Sequence, residues 1–143
     1  MSTRGNSEEP FDYVRVVPGS VDRAVGRVTD ELKARGFGVL ATLAVHTILE
    51  QKIGAQVPPV VILEVCSPRH AARALGVNRR VALLLPCKVV VAEESDGTHV
   101  ALQRPTIALG KLLPEPGLRD LGVEVERELR RAVDAVAAAP ELS

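Results

Sequence analysis

Apolar residues recur at helical spacing in two long stretches of the chain. The first stripe contains Val21, Val25, Val28 and Leu32. Ser20 is a favoured N-cap residue and Gly36 is a favoured helix stop, so this pattern predicts a helix over residues 20–35. A second stripe predicts a helix from Leu118 to about Ala138. Its members are Leu118, Leu121, Val125, Leu129, Ala132 and Val136.

Short apolar runs bounded by turn residues predict five strands. They lie at residues 11–17, 38–45, 57–66, 81–94 and 99–109, and Pro86 interrupts the fourth. Asp96-Gly97 separates the fourth run from the fifth, and this pair favours a tight hairpin turn. The fourth and fifth strands are therefore expected to be antiparallel neighbours.

The connections between strands contain signals for two short helices. Thr47 and Glu50 have the spacing of a capping box, and Gly54 provides a stop, which predicts a helix between the second and third strands. Ser67 and Pro68 have the residue types of an N-cap and a first helical position. They predict a second short helix, between the third and fourth strands.

The order of the elements predicts a single α+β domain over residues 11–139, after a disordered tail over residues 1–10. We expect a mainly antiparallel five-stranded sheet with two long helices on one face. The runs VVILEVC and VALLLPCKVVV are apolar at both parities, whereas a sheet covered on one face alternates. The short helices and a second copy of the chain are the candidates for covering the other face, and we predict a homodimer.

Composition and charge narrow the classes of partner. The formal net charge is zero and aromatic residues make up 2% of the chain, which argues against binding to nucleic acid or to an anionic membrane surface. No apolar run approaches the roughly 20 residues of a membrane span. The first residues resemble no secretory signal and the two cysteines make no disulfide framework, so we expect a cytoplasmic protein with reduced thiols.

Short motifs around both cysteines carry a family resemblance. They are Val65-Cys66-Ser67-Pro68, Ala74-Leu75 and Leu84-Leu85-Pro86-Cys87-Lys88-Val89-Val90-Val91, followed by Glu93, Asp96 and Gly97. This pattern resembles the domain-of-unknown-function family 302, whose usual forms are Ala-Cys-Asn-Pro and Leu-Pro-Cys-Asn-Val-Val-Val. Val65, Ser67 and Lys88 depart from those forms. The resemblance covers about residues 11–110.

Membership of that family implies a fold similar to the TATA-box-binding-protein-like class, with the order strand, helix, four strands, helix. This order agrees with the elements predicted from the pattern. The resemblance implies no DNA binding, because a fold does not define a function. The chain also lacks the aromatic wedges and the basic face that minor-groove binding requires.

Cys66 and Cys87 are the first candidates for chemistry. Cys66 ends the third predicted strand just before a helix N-terminus, where backbone N–H groups favour a thiolate. Cys87 lies in the adjoining predicted strand, so both side chains could face one cavity. That arrangement would suit a reactive thiol, a transient disulfide or a soft-metal site. The alternative, which we favour, is that both residues are small buried hydrophobes.

Three charged residues near the cysteines are further candidates for binding. Glu64 is the sole charge inside its strand and shares a strand face with Cys66. It is either a polar group at the mouth of a pocket or, the interpretation we favour, an edge residue or an ion pair across the dimer. Arg69 and Arg73 share a helix face near a helix N-terminus and could hold a small anion, or they form a solvated face.

No spacing in the chain matches G-x-S-x-G, H-E-x-x-H, a P-loop or G-x-G-x-x-G. We therefore expect no catalytic residue, no metal and no cofactor. The expected function is that of a homodimeric module that binds a small molecule, an anion or a partner protein. Its predicted binding residues are Glu64, Cys66, Cys87, Arg69 and Arg73. The alternative is a thiol-dependent redox or metal-handling protein that uses the two cysteines.

Overall fold

The computed structural model describes residues 10–139, so the predicted tail over residues 1–10 lies, apart from Pro10, outside the described residues. The strands are β1 (Asp12–Val17), β2 (Gly38–Ala44), β3 (Val60–Cys66), β4 (Cys87–Glu94) and β5 (Gly97–Gln103). The helices are α1 (Val21–Ala34), α2 (Val45–Ile53), α3 (Pro68–Val77), α4 (Pro105–Ala108) and α5 (Pro116–Ala138), and a 3₁₀ helix occupies Arg79–Leu84. No helix within this range combines the length and apolar composition needed to cross a membrane.

All five strands form one antiparallel sheet in the order β1-β5-β4-β3-β2. The register between β3 and β4 places Val65 opposite Cys87 and Glu64 opposite Lys88. Directly opposite residues of an antiparallel pair point to the same face of the sheet, and successive residues point to opposite faces. Val65 and Cys87 therefore share one face, and Glu64 and Lys88 share the other.

Helices α1 and α5 cover one face of the sheet and form the core with it. The strand residues buried on this face are Val17, Val61, Leu63, Val65, Val89, Val91, Thr98, Val100 and Leu102. The predicted N-cap of α1 is confirmed, because the Ser20 hydroxyl accepts a hydrogen bond from the amide of Arg23 at 3.2 Å. The α+β class, the five-stranded antiparallel sheet and the two long helices on one face are confirmed as well.

The opposite face of the sheet, which we call the outer face, carries no buried side chain among the described strand residues. Its apolar members are Val14, Val16, Ala41, Leu43, Val60, Ile62, Val90, Ala92 and Ala101. The helix that connects β2 to β3, α2, contributes no buried residue. One copy of the chain therefore leaves apolar surface on the outer face open to solvent.

The predicted strand over residues 81–94 is wrong in its first part. Residues 79–84 form the 3₁₀ helix, and β4 begins only at Cys87. The Asn78 side-chain oxygen accepts a hydrogen bond from the amide of Arg80 at 2.9 Å and so caps this helix. Val81 is fully buried whereas Leu83 is 86% exposed, although the two would share one face of a strand.

Further boundaries differ from the prediction, and the third strand, predicted from residue 57, begins at Val60. The predicted fifth strand over residues 99–109 is too long, because Pro105 lacks the N–H of a sheet ladder and begins α4 instead. The capping box is also wrong, since α2 begins at Val45 directly after β2. A tertiary contact holds its first turn: the amide of Val60 donates to His46 Nδ1 at 3.0 Å. The predicted end of α2 at Gly54 is confirmed.

Candidate functional site

A cavity of about 240 Å³ lies where the ends of β3 and β4 meet α3, the 3₁₀ helix and α5. Most of its wall is apolar and includes Phe37, Ala71, Leu85, Leu121 and Val125. Cys66, Ser67, His70 and Cys87 are the residues of the wall that carry polar or sulfur atoms in their side chains. A concave apolar site with a few polar groups is the usual form of a small-molecule pocket.

The two cysteines reach the cavity from adjacent strands. Cys66 is the last residue of β3 and Cys87 is the first residue of β4. Because β3 and β4 are hydrogen-bonded neighbours, the end of one lies beside the start of the other. Both residues belong to the cavity wall, but strand alternation places Cys66 on the sheet face opposite to that of Val65 and Cys87.

The environment of Cys87 keeps its thiol protonated. Burial raises the pKa of the Cys87 thiol to about 11, the negative charge that Cys66 would carry adds to this, and Lys88 opposes it. The thiolate, and not the thiol, is the nucleophile and the metal ligand. Within residues 10–139, moreover, no three His, Cys, Asp or Glu side chains come together in a group that could hold a metal ion.

A chain of hydrogen bonds forms the polar part of the site. His70 Nδ1 lies 2.8 Å from Ser67 Oγ, and His70 Nε2 lies 3.0 Å from Glu124 Oε2. A neutral imidazole carries one N–H, and an ionised carboxylate only accepts. With His70 neutral, Nε2 therefore donates to Glu124, and Nδ1 accepts the hydroxyl proton of Ser67. We call these three residues the Ser67–His70–Glu124 array.

Two helices bring the array together. Ser67 immediately precedes α3, and His70 lies three residues later, on the same side of the first turn. The Ser67 side chain makes no cap hydrogen bond to α3, so its hydroxyl is directed to His70 instead. Glu124 lies on α5, which packs against α3.

Phe37, which follows the C-terminal end of α1, fixes the plane of the His70 ring. The rings of Phe37 and His70 are stacked, with centroids 5.7 Å apart and planes 16° apart. Phe37 is buried, and its amide donates to the carbonyl of Leu32 at 3.0 Å. The preceding residue, Gly36, has a φ of 84°, a conformation that glycine adopts without the cost it has for other residues.

Arg73 completes the surroundings of Glu124. Its guanidinium lies 3.3 Å from one carboxylate oxygen and 3.2 Å from the other. The hydrogen bond from His70, followed by that from Arg73, lowers the pKa of Glu124 below its ordinary value. The carboxylate is therefore ionised at neutral pH, which is the form that accepts the hydrogen bond from His70 Nε2 and so orients the imidazole.

Residues 13–136 match the family described as a domain of unknown function, DUF302. This chain belongs to the DUF302 family. The crystal structure of an uncharacterized conserved DUF302 protein from Bacillus stearothermophilus is similar, with a TM-score of 0.85 and 34% identity over 90% of this chain and 99% of that one. The resemblance carried by the motifs around the cysteines is thereby confirmed. No curated protein matches the chain.

Of the predicted binding residues of this DUF302 protein, the structure brings only Cys66 and Cys87 to the cavity wall. Glu64 lies on the outer face, where it accepts a hydrogen bond from Lys88 Nζ at 2.6 Å. Arg73 lies beside the cavity and binds Glu124, and Arg69 is exposed. A role for any of these residues in binding a ligand stays a prediction.

Sequence reasoning missed the array in this DUF302 protein. The spacing between Ser67 and His70 places both on one helical turn and is a local signal that could have paired them. Glu124 has no such signal, because it is 54 residues from His70 and lies outside the buried apolar stripe of α5. Only the packing of α5 against α3 joins the three residues.

Proposed function

We propose that this DUF302 protein binds a small, largely apolar molecule in the cavity beside the Ser67–His70–Glu124 array. The cavity itself carries the proposal. Its volume of about 240 Å³ exceeds the roughly 150 Å³ of an engineered apolar cavity that admits benzene. It therefore has room for a substituted aromatic ring or a short acyl chain.

The distribution of polar groups favours a ligand that is neutral and has one polar end. Ser67 and His70 lie together on one part of the wall, and the rest is apolar. A ligand can therefore bury its apolar part and direct a hydrogen-bonding group to the array. The neighbouring guanidinium of Arg73 is already paired with Glu124, which makes an anion a weaker candidate than a neutral molecule.

The same proposal includes a homodimer formed through the outer face. The apolar side chains there are exposed or half-buried in one copy. Glu64 and Lys88 place opposite charges next to each other on this face, so a second copy related by a two-fold axis can present a matching pair. A second copy of the chain thus fits the outer face in both its apolar and its charged part.

A thiol-dependent redox function is the second candidate, because both cysteines line the same cavity. The raised pKa of Cys87 weighs against it. The Cys87→Ala variant separates the two functions. Small-molecule binding predicts that the variant still binds its ligand, with a modest loss of stability, whereas a thiol function predicts a folded protein without thiol reactivity.

Isothermal titration with benzene, indole and 1-naphthol tests the binding proposal. We expect the natural chain to bind at least one of these probes with saturation at one site per chain. In Ala71→Leu the added side chain occupies the cavity, because Ala71 lines its wall, and binding should weaken tenfold or more.

Ala72→Leu is the matched control. Ala72 is the next residue of the same helix but is exposed and lies off the cavity wall, so this variant should bind like the natural chain. The proposal fails if the natural chain binds none of the three probes. It also fails if both leucine variants bind equally well.

A further inference from the structure

We propose that Ser67 is a nucleophile that accepts an acyl group, so that the cavity binds the acyl part of a small ester and the site hydrolyses it. This inference rests on the proposed binding function and adds a substrate class to it. Three observations carry it: Ser67 lies in the cavity wall, the His70 base contacts its hydroxyl, and the Glu124 carboxylate contacts that base.

The position of Ser67 suits an attacking group. Ser67 lines the cavity wall, and its Oγ makes no bond to the backbone of α3, so it is not committed to capping the helix. A serine hydroxyl is a weak nucleophile until a base removes its proton. His70 Nδ1 is 2.8 Å away, within the distance that proton transfer requires.

His70 is held as a base rather than as a loose surface residue. Stacking on Phe37 fixes the ring plane, and the contact of Nε2 with Glu124 fixes the tautomer in which Nδ1 is free to accept a proton. Glu124 acts on Ser67 only through His70, so it is a positioning residue. The same three roles of nucleophile, base and orienting carboxylate occur on unrelated folds.

The thiols beside the cavity are poorer candidates for the attacking atom. Both ring nitrogens of His70 are taken, one by Ser67 and the other by Glu124, so the base is directed at the hydroxyl. The Cys87 thiol is protonated, because burial disfavours its anion and so raises its pKa. Ser67 is therefore the cavity residue that combines access with an oriented base.

The helix N-terminus next to Ser67 can stabilise the charge that develops during attack. Pro68 has no N–H, and the amides of Arg69 and His70 are the next donors at the start of α3, where backbone N–H groups lack intrahelical partners. Donors of this kind stabilise the oxyanion of a tetrahedral intermediate.

The reaction balances with water as the only co-reactant. Ser67 Oγ forms a bond to the acyl carbon while His70 Nδ1 takes the hydroxyl proton. The bond between the acyl carbon and the ester oxygen then breaks, and His70 gives its proton to the leaving alcohol. Water next attacks the acyl carbon while His70 takes one of its protons. The bond between the acyl carbon and Ser67 Oγ then breaks, His70 returns the proton to Oγ, and the carboxylic acid leaves.

Two measurements on the full chain test this inference. A fluorophosphonate probe followed by peptide mass spectrometry should label Ser67 in the natural chain. p-Nitrophenyl butyrate should be hydrolysed with a burst equal to one product per chain. Ser67→Asn, which keeps a favoured N-cap residue type, should lose both the label and the burst, whereas Ser95→Asn at an exposed turn should lose neither.

Substitutions of His70 and of Glu124 should lower kcat by different amounts. His70→Asn should lower kcat by about 10²–10⁴-fold, the usual contribution of a general base. Glu124→Gln should lower kcat by about tenfold and leave KM unchanged, a smaller loss because the carboxylate is half-exposed. A merely structural role for Glu124 would instead change the melting temperature and leave kcat alone.

Indole binding separates failure of this inference from failure of the proposed function. Indole binding is therefore measured on the natural chain, in parallel with the labelling of Ser67. The nucleophile assignment is overturned if the natural chain binds the probe but Ser67 is not labelled, or if the label is found on Cys66. Absence of any probe binding would overturn the proposed function itself.

Discussion

At the scale of single residues, Glu126 is the one charged residue that is buried within residues 10–139. Its carboxylate accepts hydrogen bonds from Arg104 Nε at 3.0 Å and from Arg130 Nε at 2.9 Å. It also accepts from the amide and the hydroxyl of Thr106, at 3.1 and 2.5 Å. Since Arg104 and Thr106 flank the start of α4, this one carboxylate joins α4 to α5.

Glu126→Gln should lower the free energy of unfolding at pH 7 by about 3 kcal/mol, because two guanidinium groups lose their carboxylate in a buried site. Burial has the largest single effect on the pKa of Glu126 and raises it, but the hydrogen bonds from Thr106 and Arg104 together outweigh burial and lower it. The folded-state pKa is therefore below the ordinary 4.5.

Because folding lowers the pKa of Glu126, this carboxylate stabilises the protein at neutral pH and loses that effect in acid. The stabilisation by Glu126 is complete above pH 4.5 and is lost as the pH falls through the folded-state pKa. Urea unfolding between pH 7 and pH 3 should show a larger loss for the natural chain than for Glu126→Gln. Equal losses would show that this carboxylate does not carry the acid sensitivity.

Cys87 gives a second prediction at this scale, tested on the natural chain with peptide mass spectrometry, which follows the alkylation of Cys87 separately from that of Cys66. Alkylation by iodoacetamide at pH 8 should be roughly a hundredfold slower in the native protein than in urea, since a thiol with a pKa of about 11 has that much less thiolate than one at 9.0. The native rate should rise toward a midpoint near pH 11. A midpoint near pH 9 would contradict the burial of Cys87.

At the scale of elements, α4 and α5 approach closely where Gly122 meets Pro105. A Cβ on Gly122 would lie 2.9 Å from the carbonyl oxygen of Pro105. Gly26 in α1 has no atom within 4 Å of the same position. The two glycines are both inside helices, so they form a matched pair in which only the neighbouring element differs.

The same substitution should therefore have opposite effects at the two glycines. Gly122→Ala should destabilise the protein by about 1–3 kcal/mol, because the backbones of α4 and α5 must separate. Gly26→Ala should stabilise it by about 0.5–1 kcal/mol through its effect on helix propensity and chain entropy. Thermal unfolding of both variants measures this, and a rise in Tm for both would disprove the close approach.

The 3₁₀ helix over residues 79–84 could not be predicted from the hydrophobic pattern. An apolar run such as VALLL has the composition of a buried strand and of a buried helix alike, so its period does not separate them. The Asn78 cap and the packing of Val81 into the core select the 3₁₀ helix. Part of the apolar excess assigned to the sheet thus belongs to a different element.

At the scale of the whole molecule, the proposed homodimer depends on the outer face. We expect a stable dimer at micromolar concentration, because association removes its apolar side chains from water. Val90→Glu places a charge on the central part of this face and should give a folded monomer by size-exclusion chromatography with light scattering. Val123→Glu, at an exposed site on α5, should remain a dimer.

Circular dichroism of Val90→Glu provides the folding control, since a monomer is informative only if the secondary structure is kept. A natural chain that is monomeric at micromolar concentration would disprove the dimer. Two dimeric glutamate variants would show instead that the subunits meet at another surface. Neither result would bear on the cavity, which lies on the helix-covered side of the sheet end.

The sequence by itself determined the features whose signals lie within a few residues of each other. The stripe and cap of α1, the five strands and the Asp96-Gly97 hairpin follow from periodicity and turn chemistry within a few residues. The placement of Cys66 and Cys87 near each other also follows, because they end and begin neighbouring strands.

The tertiary structure alone decided the features that depend on distant segments. The path of residues 79–84, the uncovered outer face and the meeting of Glu124 with His70 each result from how helices pack on the sheet. No period along the chain encodes a contact across 54 residues. Such contacts are specified by the shape and volume of the assembled core, which is a property of the whole fold.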